Sequence, residues 1–103
     1  METLTESGAI TLGTKSDYVA LNSVTPLIAA TLASPKQGHL LVIAQTDAGT
    51  AGHTVTLTAG SFSTDGDNTL TFNAADECVV LYGVSDSQYI VLHNIGSVAL
   101  SNV

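Results

Sequence analysis

Residues 79–100 read VVLYGVSDSQYIVLHNIGSVAL and are apolar at most positions on either side of a short polar turn. Successive side chains of a β-strand point to opposite faces of a sheet, so strands formed here are apolar on both faces. A lone small sheet would leave one of those faces in water. We therefore predict a hairpin that turns at residues 85–88 and whose second face is covered by something else.

Strand signals recur along the rest of the chain at the spacing typical of an all-β sandwich or barrel. In HTVTLTA, residues 53–59, apolar residues alternate with threonine, which predicts a strand with one buried face and one threonine-coated face. The loop at 60–68, rich in Gly, Asp and Asn, predicts antiparallel pairing of this strand with TLTF at 69–72. The stretch TPLIAATLAS could form a helix, but a strand or irregular segment is favoured. The predicted strands lie near 8–12, 18–22, 26–32, 39–46, 53–59, 69–73, 77–84, 88–94 and 97–101.

The composition agrees with this pattern. Asp, Glu, Lys and Arg together make up 11% of the 103 residues, against about 25% in an average globular protein. Threonine is β-branched and suits strands, and few long charged side chains are present to form the exposed face of a helix. The sequence predicts an all-β fold in a single domain, residues 1–103: a small antiparallel β-sandwich, jelly-roll-like, with eight or nine short strands.

The charge balance limits the possible partners. The formal net charge is −7, and Lys15 and Lys36 are the only basic residues apart from histidine. No basic patch is available to neutralise phosphates, so direct binding to nucleic acid or to an anionic membrane surface is not expected.

The single cysteine, Cys78, excludes an intramolecular disulfide, and its valine neighbours predict a buried, inert thiol. The first residues contain no apolar leader behind a basic segment, so we expect folding in a cytoplasm.

No motif in the sequence indicates catalysis or a cofactor. Asp65 and Asp67 could bind calcium, but the spacing of DGDN fails the twelve-residue calcium loop, and a turn explains both residues. The three histidines, at 39, 53 and 93, match no zinc-ligand spacing. Asp76 and Glu77 would point to opposite faces of a strand and could not act together as acid and base. We predict no enzyme activity, no resident metal and no cofactor.

Two segments, 39–44 and 79–95, do not show the polar outer face that a sandwich normally has. Their second faces could pack laterally within the domain, close a barrel, or dock on neighbouring copies. We favour burial in a homo-oligomer, most simply a closed ring. Of the aromatic residues, Phe72 and Tyr82 are predicted in the core, and Tyr89 is predicted as an exposed contact. The residues predicted to form a subunit or capsid interface are Leu41, Ile43, Tyr89, Leu92 and Ile95.

The second half of the sequence contains a longer pattern that resembles a known family of proteins. Residues 51–101 read AGHTVTLTAGSFSTDGDNTLTFNAADECVVLYGVSDSQYIVLHNIGSVALS. In order, this segment contains a strand in which threonine alternates with apolar residues, a loop rich in Gly and Asp, the sequence TFNAADE, an apolar strand, a polar turn and the sequence HNIGSVALS. This half of the chain resembles the head decoration, or capsid cement, proteins of tailed bacteriophages, while the first 38 residues match only in length and general character.

The resemblance implies a small β-sandwich that binds the outside of a capsid, often as a homotrimer, and stabilises it by bridging neighbouring subunits of the major capsid protein. It also implies assembly in the host cytoplasm and a final location on the virion. The alternative function is a tail fibre or spike module that recognises host glycans, in which an exposed Tyr89 and the loop DAGTAG at 47–52 would contact the sugar.

Overall fold

The computed structural model describes residues 2–102, and every regular element in this range is a β-strand. The strands form two five-stranded sheets. In chain order they are β1 (Glu2–Leu4), β2 (Gly8–Ala9), β3 (Ser16–Leu21), β4 (Ala29–Leu32), β5 (Leu40–Gln45), β6 (His53–Leu57), β7 (Thr69–Phe72), β8 (Cys78–Ser85), β9 (Gln88–Ile95) and β10 (Ala99–Ser101).

The first six strands alternate between the two sheets, so the chain winds as a flattened coil. The first sheet has the order β1-β3-β5-β8-β9, and the second has the order β10-β7-β6-β4-β2. Strands β1, β3 and β5 are parallel to one another, and so are β2, β4 and β6. The last four strands extend both sheets with antiparallel pairs.

The all-β prediction is confirmed, and each predicted strand has a counterpart, including Ala29–Leu32 in the segment with the helical alternative. The predicted number of eight or nine strands is too low, because β1 was not predicted and the described residues form ten. The predicted hairpins β6–β7 and β8–β9 are also confirmed. Antiparallel pairing is wrong for four of the eight strand pairs. Each early connection crosses to the other sheet, so the chain re-enters the first sheet in its original direction. A jelly roll, which is built from antiparallel Greek keys, does not describe this coil.

Buried apolar side chains from both sheets form one cluster, which is the core. Alternation along β4, β5 and β6 places one set of side chains in this cluster and the other set outside, as the pattern of HTVTL predicts. The fully or almost fully buried contributions from both sheets are Val19, Leu21, Leu41, Ile43, Val79 and Leu81, and Ala30, Leu32, Val55, Leu57, Leu70 and Phe72.

A close approach of backbone to backbone closes one end of the core. Gly83 faces inward from β8, and a Cβ built on it would overlap the carbonyl oxygen of Lys36 in the loop before β5. The amide of Gly38 donates a 2.8 Å hydrogen bond to the Gly83 carbonyl, which ties the loop to the strand. Tyr89 pairs with Gly83 in register, and its ring stacks on Phe62 with 5.9 Å between ring centroids. The loop therefore occupies the space that a side chain at position 83 would need.

Candidate interaction surface

The outer side of the first sheet is apolar across four adjacent strands. Register pairs place Leu40 beside Tyr82 and Val42 beside Val80, and both pairs point away from the core. Tyr18 adjoins Val42 on one side. This surface, called the apolar face below, is formed by the side chains of Tyr18, Leu40, Val42, Val80, Tyr82, Ile90, Leu92 and Ile95, with His93 beside Val80.

The outer side of the second sheet has a different chemistry. Thr54 pairs with Thr71, and Thr56 pairs with Thr69, whose hydroxyls lie 3.3 Å apart. Thr31 of β4 continues this row. The two outer sides of the same small protein therefore differ, because one is coated with threonine and the other with large aliphatic and tyrosine side chains. Contiguous exposed apolar surface on a soluble protein marks a place where another molecule binds.

The structure divides the predicted interface residues into two groups. Leu92 and Ile95 lie on the apolar face and are 52% and 47% exposed. Leu41, Ile43 and Tyr89 are completely buried in the core, so the prediction that they contact a partner is wrong. Side chains alternate along β5, and the exposed positions in that strand are those of Leu40 and Val42. Replacing Leu41 with Asp would therefore disrupt the core and would not test an interface.

Tyr89, predicted to be exposed, is buried, and Tyr82, predicted to be in the core, is exposed. Tyr89 points inward, where burial raises its pKa to about 12, with a further contribution from the nearby carboxylate of Asp17. Tyr82 and Tyr18 are exposed on the apolar face, whereas Phe72 is in the core as predicted. Tyr89 pairs in register with Gly83, which faces the core, and residues directly opposite each other in an antiparallel pair share one face of the sheet, so the Tyr89 side chain also points inward.

A bulge in β9 explains why the two-face pattern of the hairpin is difficult to read. Leu81 pairs with Val91, but the preceding residue, Val80, pairs with His93, so Leu92 is the extra residue. The bulge shifts the alternation by one position for the rest of the strand. Simple period-two counting therefore assigns the end of β9 to the wrong face, while Leu92 remains exposed.

A buried carboxylate organises the end of the molecule where β3 and β5 finish. Oδ1 of Asp47 accepts hydrogen bonds from the side-chain amide of Gln45 at 2.8 Å and from the backbone amides of Gly49 and Thr50 at 3.0 Å each. Oδ2 accepts a 3.2 Å bond from the backbone amide of Ser23 and a 2.6 Å bond from Nε2 of His53. Five donors from four segments of the chain thus converge on one side chain.

The protonation pattern of this network follows from its geometry. Nδ1 of His53 accepts a 3.0 Å hydrogen bond from the Ile28 amide, so Nε2 carries the proton that is donated to Asp47. Burial of the Asp47 carboxyl raises its pKa, but the hydrogen bonds from Gln45, Gly49, His53 and Thr50 outweigh burial and hold the pKa well below its usual range. Both ring nitrogens of His53 are therefore occupied by structural contacts. The sequence did not predict this network.

Two of the remaining polar candidates, His39 and Asp67, are also engaged, whereas His93 is exposed beside Val80. Nε2 of the buried His39 lies 2.7 Å from Oδ2 of Asp17, which also accepts a hydrogen bond from the Gly13 amide. In the loop between β6 and β7, the Ser63 hydroxyl donates to Asp67 and accepts from the backbone amide of Asp65. No group of three or more His, Cys, Asp or Glu side chains that could hold a metal ion occurs within residues 2–102. Cys78 is half-buried, and burial raises the pKa of its thiol.

The described part of the chain offers no pocket for a small ligand. It also contains no helix that could cross a membrane. Comparisons with family models, with curated proteins and with solved structures gave no match to this chain. Among the described residues, the apolar face is the strongest candidate for a functional surface, because large apolar side chains are exposed together there.

Proposed function

We propose that this protein is a virion structural protein that binds the outer surface of a bacteriophage capsid as a homotrimer and stabilises the capsid by bridging neighbouring subunits of the major capsid protein. The observation that carries the proposal is the apolar face. Among the described residues, the apolar face forms a contiguous apolar surface across one side of a sheet, and such a surface is suited to assembly. Inward side chains from both sheets meet in one cluster, which supports the two-layer sandwich on which this function depends.

The dimensions of the apolar face support three-fold assembly. Four strands spaced about 4.8 Å apart give it a width of about 19 Å. Three such faces around a three-fold axis enclose a triangle whose centre lies about 5 to 6 Å from each sheet. That distance is close to half of the roughly 10 Å at which two sheets pack face to face. Side chains of ordinary length would therefore fill the space around the axis without a large cavity.

The distribution of charge also supports the apolar face as the interface between copies of the chain. The chain carries a net charge of −7, so most approaches of one copy to another bring carboxylates together. None of the side chains that form the apolar face is acidic, and its one basic side chain is His93, which pairs with Val80. Two copies can meet on this side without burying like charges, which would otherwise oppose association.

The first test is the molar mass in solution. We expect light scattering behind a sizing column, at micromolar concentration, to give three times the chain mass of 10.5 kDa. Replacing Leu92 with Asp places a charge on an exposed part of the apolar face and should produce a folded monomer. The matched control is Thr31→Asp on the threonine-coated side, which should remain trimeric. A Leu92→Asp variant that stayed trimeric would show that the apolar face is not the interface.

Attachment to the capsid has a separate test. We expect the trimer to co-sediment with capsids assembled from the major capsid protein of the same phage. Because the chain offers almost no basic groups for ion pairs, the contact should be mainly apolar, and the dissociation constant should change less than about threefold between 0.05 and 0.5 M NaCl. Release of the protein at modest salt would contradict a contact of this type.

A tail fibre or spike module that binds host glycans is the second candidate, and one observation favours it. Tyr18 and Tyr82 are exposed on the same face, and exposed aromatic rings are the usual stacking platforms for sugars. The buried Tyr89 cannot serve in this role. Binding to a glycan array that disappears on replacing Tyr82 with Ala, together with no binding to capsids, would favour this function over capsid decoration.

A further inference from the structure

A second exposed apolar feature lies in a loop that connects the two sheets. The loop that joins β3 to β4, residues 22–28, carries Val24 and Leu27, which are 67% and 51% exposed. Val24 is the most exposed of the large apolar side chains among residues 2–102. The loop reads NSVTPLI and contains no charged residue, although the chain as a whole is strongly acidic.

The buried network beneath this loop holds it at both ends. The Ser23 amide donates to Asp47, and the Ile28 amide donates to His53, which in turn donates to the same carboxylate. Within the loop, the Ser23 hydroxyl donates a 2.7 Å hydrogen bond to the carbonyl of Pro26. The ends of the loop are thus fixed to one buried group.

Neighbouring segments also hold the two residues that display the apolar side chains. The Thr50 hydroxyl donates a 3.5 Å hydrogen bond to the carbonyl of Val24, and the Ser7 hydroxyl donates a 3.5 Å bond to the carbonyl of Leu27. A loop fixed in this way loses little conformational entropy when it binds a partner, which increases affinity. The backbone of the loop is therefore held in one conformation, while the side chains of Val24 and Leu27 remain exposed to water.

We propose that the loop 22–28 is the part of the trimer that contacts the capsid, with Val24 and Leu27 inserting into an uncharged apolar depression on the outer surface of the coat protein. This inference rests on the proposed function and assigns the capsid contact to a surface separate from the subunit interface. The lack of charge fits an apolar contact, and Val and Leu lack the aromatic ring that would suit a glycan.

The size of the feature identifies the kind of partner. Two side chains bury far less than the roughly 800 Å² per partner that a stable protein interface needs. A single loop would therefore bind weakly, and two loops from separate copies would not hold a dimer together. Three loops of one trimer can bind at once to a symmetric array of identical sites, and linked weak contacts of this kind give tight overall binding. A capsid lattice provides such an array.

The test uses the full chain and capsids of the same phage. We expect the double variant Val24→Ser, Leu27→Ser to keep the molar mass and thermal midpoint of the wild type and to bind capsids at least tenfold more weakly in co-sedimentation. Thr31→Ser, an exposed change on the threonine-coated side, should bind normally. The single variant Val24→Ser provides a second measurement if the double variant loses stability, because this side chain is the more exposed.

The outcomes separate this inference from the function on which it rests. Normal capsid binding by the variants would overturn the role of the loop and leave capsid decoration intact. Failure of the wild type to bind capsids would remove the proposed function, and the loop assignment with it. Binding of the wild type to phosphatidylcholine vesicles, with loss in the double variant, would overturn the protein partner in favour of a lipid surface.

Discussion

Replacing Asp47 with Ala is expected to destabilise the fold by about 3 to 5 kcal/mol, which is a large part of the total stability of a domain of this size. The carboxylate of Asp47 accepts five hydrogen bonds, and its removal leaves one proton of the Gln45 amide and the His53 Nε2 proton without an acceptor in a buried site, while the Gln45 amide keeps its bond to the Thr50 carbonyl. Buried donors without partners are costly. Urea denaturation at pH 7 measures the loss, and Asp65→Asn in an exposed turn is the matched control.

The same residue determines how stability depends on acid. Because the pKa of Asp47 is lowered in the folded state, its contribution is fully present above the unfolded value of about 3.9 and is lost as the pH falls further. Wild-type stability should therefore decline steeply below about pH 4. The Asp47→Asn variant should be less stable at neutral pH and show a shallower decline. Parallel curves for the two proteins would show that Asp47 is not the responsible carboxyl.

The variant Gly83→Ala is expected to lose about 3 kcal/mol or more, which is a large effect for the addition of one methyl group. The new Cβ would overlap the Lys36 carbonyl oxygen, and the hydrogen bond between Gly38 and the Gly83 carbonyl prevents the loop from moving away freely. The clash is with backbone, which cannot change rotamer. We expect a large drop in the urea midpoint and faster proteolysis of the loop at 35–38.

The matched control for Gly83 is Gly8→Ala. Gly8 also lies in a strand, but a Cβ built there meets no atom within 4 Å. Its replacement should change stability by no more than about 0.5 kcal/mol. Equal effects at the two positions would show that the general cost of replacing a strand glycine, and not the contact with Lys36, accounts for the result.

The sequence predicts most of the strands because local patterns determine them. The alternation of threonine with Val55 and Leu57 identifies one strand and its buried face, and the loop before Thr69 identifies its antiparallel partner. The apolar second face of the β8–β9 hairpin was also visible in the sequence. The structure confirms that this face lies outside the core, and its occupant remains a prediction.

The parallel coil was not predictable in the same way. Pairing of Leu21 with Gln45 joins residues about two dozen positions apart, and no local signal distinguishes a parallel from an antiparallel neighbour. The role of Asp47 was hidden for a similar reason, because its partners Ser23 and His53 come from different turns of the coil. The bulge at Leu92 reversed the expected faces within one strand, and only the pairing with β8 reveals it.

The coil also determines which changes in chain length this architecture can accept. Each complete turn, such as the one from β3 through β4 to β5, returns the chain to the same sheet one strand further along and in the same direction. Insertion of a whole turn of about two dozen residues would add one strand to each sheet and lengthen the core without changing either pairing direction. Insertion of half a turn would exchange every later strand between the sheets. Homologues of different length should therefore differ by whole turns.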